Sequence, residues 1–249
     1  MCLLAWNWAP ENTCPLFLIG NRDEFYARPT KPLHWWDDEI LAGKDLQEGG
    51  TWLGVSRNGK LAVVTNYRDP RNHRINVLSR GNLVTEFLRK DQSLESYLKH
   101  LCVVSHEYNP FNLLLYDGKV LKGFESRTAR IIDINPGVGT LSNADFNSPW
   151  PKQSTLKNGL QLTIEQGIRD QSYFLNLLQN STPAADINLP RTGIPIERER
   201  ELSSCFVRTP GYGTRSSSIV RFENKEISFL EQCYDSNGAS NLNQFIFTA

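Results

Sequence analysis

Short apolar runs bounded by turn residues alternate along this chain with stretches whose apolar residues recur every three to four positions, and no other feature restricts the fold as much. Residues 2–8 and 15–20 are apolar or aromatic runs separated by 10–14, which predicts a hairpin. Residues 51–56 and 60–66 flank Arg57-Asn58-Gly59, and Asn-Gly is the preferred chemistry of a two-residue turn. Helical spacing follows, with Leu83, Phe87 and Leu88 after Ser79, then Leu94, Tyr97, Leu98 and Leu101 after Ser93, and a break at 91–93. Strands are expected again at 111–116 and 120–124 about Asp117-Gly118, and at 131–134. Pro151 opens a helix to 166, with Leu156, Leu160 and Ile164 at four-residue spacing, and 173–178 adds another. The polar stretch 181–200 reads as a long surface loop, and 203–208, 216–222, 227–231 and 244–248 read as closing strands. Strands, helices, strands, helices, strands, without an internal repeat, predict two packed antiparallel sheets covered by helices, an α+β sandwich. At 249 residues we expect one domain spanning 1–249.

The charge balance narrows the partners. Lys+Arg and Asp+Glu are 27 each, so no global field recruits nucleic acid or an anionic membrane. No stretch approaches the ~20 apolar residues of a transmembrane segment, and residues 1–8 lack the basic start of a signal peptide before Pro10, Glu11 and Asn12 interrupt the run. The cysteines, Cys2, Cys14, Cys102, Cys205 and Cys233, are odd in number, widely spaced and without a Cys-x-x-Cys pair. Free thiols in a reducing, cytoplasmic setting are expected, and a metal site is not.

Cys2 is the leading chemical candidate. Removal of the initiator methionine would put a thiol and a free α-amine on one carbon; they titrate near ~8.5 and ~7.7 to 8.0, so either can exchange protons close to neutrality. Asn21-Arg22-Asp23-Glu24 follows the run 17–20, where a strand is expected to end. A guanidinium there would favour the thiolate or bind a carboxylate or phosphate, and Asp23 could orient an amine; an ordinary turn-fixing ion pair is the alternative. Asn66 and Ser142-Asn143 close two further apolar runs, where an amide can donate to an oxyanion or simply shape a turn. Residues 212–218, Tyr-Gly-Thr-Arg-Ser-Ser-Ser, are either a functional cluster around Arg215 or a solvated turn.

These motifs, in their order, resemble the transport and Golgi organisation two family, also called the NRDE family. The likeness rests on Met1-Cys2, Asn21 to Tyr26 with Arg28-Pro29, Gly49-Gly50-Thr51-Trp52-Leu53-Gly54, Thr65-Asn66-Tyr67, Leu141-Ser142-Asn143-Ala144 and Tyr212-Gly213-Thr214-Arg215, and it spans nearly the whole chain. It implies links to Golgi organisation, secretion, mitochondrial and lipid metabolism, and haem trafficking as a haem chaperone. More distantly the chain is similar to N-terminal-nucleophile (Ntn) hydrolases of the penicillin acylase and bile-salt hydrolase type, which implies a four-layer αββα sandwich. By that similarity Cys2 attacks an amide or thioester carbonyl and its amine carries the proton. Asn66 and Asn143 are oxyanion or amine-orienting candidates, while Arg22, Asp23 and Arg215 polarise the site. The order Arg22-Asp23 departs from those hydrolases' spacing.

Such a hydrolase needs no cofactor. The rival expectation is a carrier in which haem, or another small or lipid-like amphipathic ligand, is transported cargo. His34, His73, His100 and His106 are scattered, Met stands only at position 1, and Cys-x-x-Cys-His is absent, so no covalent haem site is encoded. Cys14-Pro15 is too short a signal to assign. Trp35-Trp36 reads as packed core rather than as an aromatic lip over a pocket.

Overall fold

A computed structural model describes residues 2–36 and 39–249. One antiparallel sheet contains β1 (Cys2–Trp8), β2 (Leu16–Phe25), β10 (Gly137–Leu141), β11 (Arg208–Thr209), β12 (Tyr212–Glu223), β13 (Glu226–Asp235) and β14 (Gly238–Thr248). Its order is β10-β1-β2-β12-β13-β14, with β11 paired to β12. The second runs in chain order through β3 (Thr30–Trp35), β4 (Ile40–Asp45), β5 (Leu53–Ser56), β6 (Leu61–Asn66), β7 (Phe111–Tyr116), β8 (Leu121–Glu125) and β9 (Arg130–Asp133). Helix α1 (Gly81–Arg89) lies on β4, β5 and β6, and Tyr97 of α2 (Leu94–Val104) donates its hydroxyl to Leu83 O at 2.7 Å to join it. On the other side α3 (Pro151–Glu165) covers β1 and β10, and α4 (Gln171–Leu178) covers β2 and β12. The layers are therefore helix, sheet, sheet, helix.

Alternation along the central strands divides the core. Leu4, Trp6, Leu16 and Leu18 join the large apolar cluster shared with the second sheet, whereas Leu3, Ala5, Phe17 and Ile19 pack with Leu156, Leu160, Phe174 and Leu178 of α3 and α4. That two-sided burial is why 2–8 reads as a continuous apolar run. Gly139 on β10 lets the Trp6 ring lie flat against it, since a Cβ there would fall 2.3 Å from the indole. Ser93 caps α2 by accepting from Ser96 N at 3.1 Å, the start signal expected of it.

Several expectations change. β2 continues past residue 20 to Phe25, so Asn21 to Glu24 lie inside a strand; Leu178, Cys205 and Ser217 satisfy Asn21 there, and Thr214 bonds Asp23. Residues 203–208 form no strand beyond Arg208, because Ser204 Oγ bonds Phe206 O and the Cys205 carbonyl is taken by Asn21. Residues 181–200 are not all surface loop: α5 (Ile196–Glu201) begins within them and buries Glu199. β3 and β4 went unanticipated, being short, with 35–36 and 44–45 mixing aromatic and charged residues. Residues 212–218 are strand rather than solvated turn. Trp36 is buried and donates to Ala42 O at 3.1 Å, and Trp35 packs edge-on against Phe247, both as core.

Candidate active site

Strand register assembles the site. Cys2 pairs with Arg22, Arg22 with Ser216 and Ser216 with Cys233, so these residues form one row across β1, β2, β12 and β13 on the face toward the second sheet. The next row on that face carries Leu4, Gly20, Ser218 and Glu231. The first row borders a cavity of about 590 Å³, closed on the far side by Val64 and Asn66 of β6, by the turn 45–52 and by the segment 73–81.

Cys2 is 6% exposed, and burial pushes its thiol up to about 11 against the pull of the Arg22 guanidinium. A neutral thiol therefore lies in the cavity wall, and a base must take its proton before the sulfur can act as a nucleophile. Arg22 stands 3.6 Å from both Glu24 and Asp45, while Arg28 binds Asp45 at 2.7 Å. The other oxygen of Asp45 accepts from Gln47 N and Glu48 N, which shapes the 45–50 turn. Gly50 meets Gly81 at the start of α1 so closely that a Cβ would lie 2.6 Å from the Gly81 carbonyl carbon, whereas Gly49 has open space around it and serves the turn through its left-handed φ of 77°.

Asn66 ends β6 as expected and borders the cavity opposite Cys2. Asn143 does not reach the cavity; fully buried, it donates to Asn66 O at 2.8 Å, and its carbonyl accepts Arg68 N. Ser142 beside it donates to Cys2 O at 2.8 Å. This pair ties the end of β6 to the start of β1. Arg215 sits at a β-bulge between Thr214 and Ser216 that turns its side chain back over the β2–β3 connection. There it donates to the carbonyls of Phe25, Tyr26 and Arg28, to Tyr234 O and to Thr30 Oγ1. Its guanidinium frames the mouth and is largely engaged with backbone.

Asp23 is among the residues lining the cavity, but its buried carboxylate is engaged on the strand, accepting from Thr214 Oγ1 at 2.8 Å. Burial raises its pKa, opposed first by the Lys152 ammonium. Burial likewise pulls Lys152 down to about 8, with Asp23 acting the other way. Arg68 and Glu199 form a buried ion pair at 2.7 Å beside them. Sequence reasoning did not single out Lys152, Arg68 or Glu199, nor Asp45, Arg80 and Glu231 of the cavity wall. A lysine one residue into a helix, next to Pro151, carries no local signal of burial. Glu231 accepts Leu33 N at 2.8 Å and the Cys233 thiol at 3.4 Å, and burial raises its pKa. Among the described residues no group of His, Cys, Asp and Glu is placed to hold a metal ion, and no helix is long and apolar enough to cross a membrane. Met1 lies outside the described residues.

A two-sheet αββα sandwich with a cysteine opening a central strand onto a cavity is the class of architecture found. Within it, residues 1–236 match the family described as Transport and Golgi organisation 2, and the chain belongs to that family. It is 35% identical to the bovine (Bos taurus) Transport and Golgi organization protein 2 homolog and 35% to the Homo sapiens homolog, each alignment covering 93% of this chain and 92% of the relative. The Drosophila melanogaster Transport and Golgi organization protein 2 is 30% identical over the same shares. Among solved structures, an R18L variant of conjugated bile acid hydrolase from Clostridium perfringens aligns at 13% identity and a TM-score of 0.49, covering 100% of this chain and 96% of that one. A Caenorhabditis elegans N-acylethanolamine-hydrolyzing acid amidase ortholog aligns at 13% identity and a TM-score of 0.39, covering 88% and 92%.

Proposed function

We propose that this protein hydrolyses an amide or thioester with Cys2 as nucleophile, once Met1 has been removed. The carrying observation is the position of Cys2, whose thiol borders a cavity of about 590 Å³ in one row with Arg22 and opposite Asn66. A thiol raised to about 11 is not a nucleophile unaided, and the α-amine on the same residue is the base within reach. The amine takes the thiol proton as Sγ bonds the carbonyl carbon, and the oxyanion accepts a hydrogen bond from the Asn66 amide. Collapse breaks the C–N or C–S bond and returns the proton to the leaving group. Water then attacks the thioester of Cys2, deprotonated by the same amine, and releases the acid. Arg22 supplies a cation for an anionic part of the substrate, and Arg28 and Arg215 hold the mouth around it.

The test is acylation of Cys2 by a panel of activated amides and thioesters, followed by intact mass. Cys2→Ala should lose the adduct and turnover while keeping the wild-type unfolding midpoint to within about 1 kcal/mol, since a small side chain at a cavity wall leaves little new void. Turnover unchanged in Cys2→Ala rejects the proposal.

A second reading, a carrier of an amphipathic ligand, is favoured by the cavity rim. Ile75 and Leu78 stand exposed beside Arg22, Arg28 and Arg80, a combination suited to an apolar chain with an anionic head. Saturable binding of haem or of a long-chain acyl anion that survives Cys2→Ala would support it. Binding no tighter than that of an unrelated protein would count against it.

A further inference from the structure

Lys152, the second residue of α3, is 3% exposed, and its Nζ has no hydrogen-bond partner among the described residues. Lysine is almost never fully buried without a reason. The groups acting on it come from every neighbouring element: Asp23 of β2, Arg68 after β6, Cys205 before β11 and Cys2 of β1. Behind them Glu199 of α5 pairs with Arg68, and Tyr212 of β12 adds a phenol near Arg68 and Asp23. With Asp23, Glu199, Arg68 and Lys152 ionised, the four charges sum to zero.

The antiparallel register that sets Cys2 opposite Arg22 directs the Cys2 backbone nitrogen toward the level of Asp23. Removing Met1 converts that nitrogen into an α-amine. Protonated, it would be a fifth charge beside a balanced buried group, drawing on the same Asp23 charge that acts on Lys152. Two cations competing for one carboxylate away from water do not both stay protonated at their ordinary values, and the weaker base releases first. The α-amine, whose ordinary value is ~7.7 to 8.0, lies at or just below the value of about 8 to which burial pulls Lys152 and is the first to release.

We propose that Lys152 is a positioning residue whose charge, opposed across Asp23, keeps the α-amine of a processed Cys2 neutral and ready to accept the thiol proton. This rests on the reading of Cys2 as an N-terminal nucleophile. Burial pulls the Lys152 value down only to about 8, so the side chain remains mostly charged at neutral pH.

The experiment uses the full chain released from a cleavable fusion with Cys2 as first residue, selectively labelled with ¹³C-cysteine. The Cys2 Cα shift followed against pH gives the amine midpoint without requiring turnover, and acylation by a thioester donor is read in parallel. Lys152→Met should raise the midpoint by about one pH unit or more, the size a single nearby charge produces. At pH 7 acylation should then fall several-fold and recover at higher pH. Lys152→Arg, whose charge does not titrate away, should hold the midpoint at or below wild type. An unchanged midpoint in Lys152→Met, or a raised one in Lys152→Arg, overturns the proposal, and the Arg variant decides alone if the Met variant does not fold. Expected midpoint shifts with a Cys2 inert to every donor would overturn the hydrolase reading instead, leaving the electrostatic role of Lys152 standing.

Discussion

The two faces of β2 put neighbouring residues of one motif to different uses. On the helix side, Asn21 donates to Leu178 O and Cys205 O at 2.8 Å and accepts from Ser217 Oγ at 2.6 Å, while Asp23 accepts from Thr214. On the cavity side, Arg22 and Glu24 are only partly buried and meet at 3.6 Å. Side chains one step apart in sequence thus divide between holding α4, β12 and the 202–207 segment together and facing the cavity. A polar motif in a strand is for that reason not one functional unit, and its odd and even members should respond oppositely to substitution.

The largest contrast should come from Asn21→Ala, which leaves two carbonyls and a hydroxyl buried without partners. We expect a loss of roughly 4 kcal/mol in denaturant unfolding at unchanged slope. A loss below about 1 kcal/mol would show that the helix-side face is not structural. Glu199→Ala strands the buried Arg68 guanidinium and removes the acceptor of Thr192 N and Oγ1, for about 3 kcal/mol by the same measurement. Arg22→Ala belongs to the other face. Its ion pairs are long, so it should cost at most ~1 kcal/mol, yet slow thioester acylation of Cys2 by an order of magnitude or more. Equal damage to stability and acylation would erase the distinction between the faces.

The smallest effect concerns pH. Burial raises Glu231, so the folded protein takes up its proton at higher pH than the unfolded chain. Glu231 therefore contributes stability that is fully present below the unfolded value near ~4.3 and is lost as pH rises through the folded value. Glu231→Gln should flatten that part of the stability profile between neutral pH and about 4.3, read from unfolding midpoints across the range. A profile parallel to wild type would place the titration elsewhere.

Much of the fold was legible because its signals are local. Asn58-Gly59 with Gly59 at φ 81°, the Ser93 cap and the apolar spacing of 151–166 each marked their elements to within a few residues. The site was legible only in part. Cys2, Arg22, Asp23 and Asn66 border one cavity, although the Asp23 carboxylate is tied to Thr214, whereas Asn143 lies behind it and Arg215 braces its mouth. Nothing local distinguished these cases, since strand parity across the sheet decides which face a side chain takes.

The sequence by itself determined the kind and order of the elements and the presence of a cysteine at position 2, because hydrophobic period, caps and turn chemistry act within a few residues. Only the tertiary structure decided which polar residues meet. Asp23 is bonded to Thr214, 191 residues away, and its charge is answered by a lysine on a helix that covers the opposite face of the sheet from the cavity. Such meetings depend on cross-strand register and on burial that strengthens charge, and both come into being only when distant segments pack.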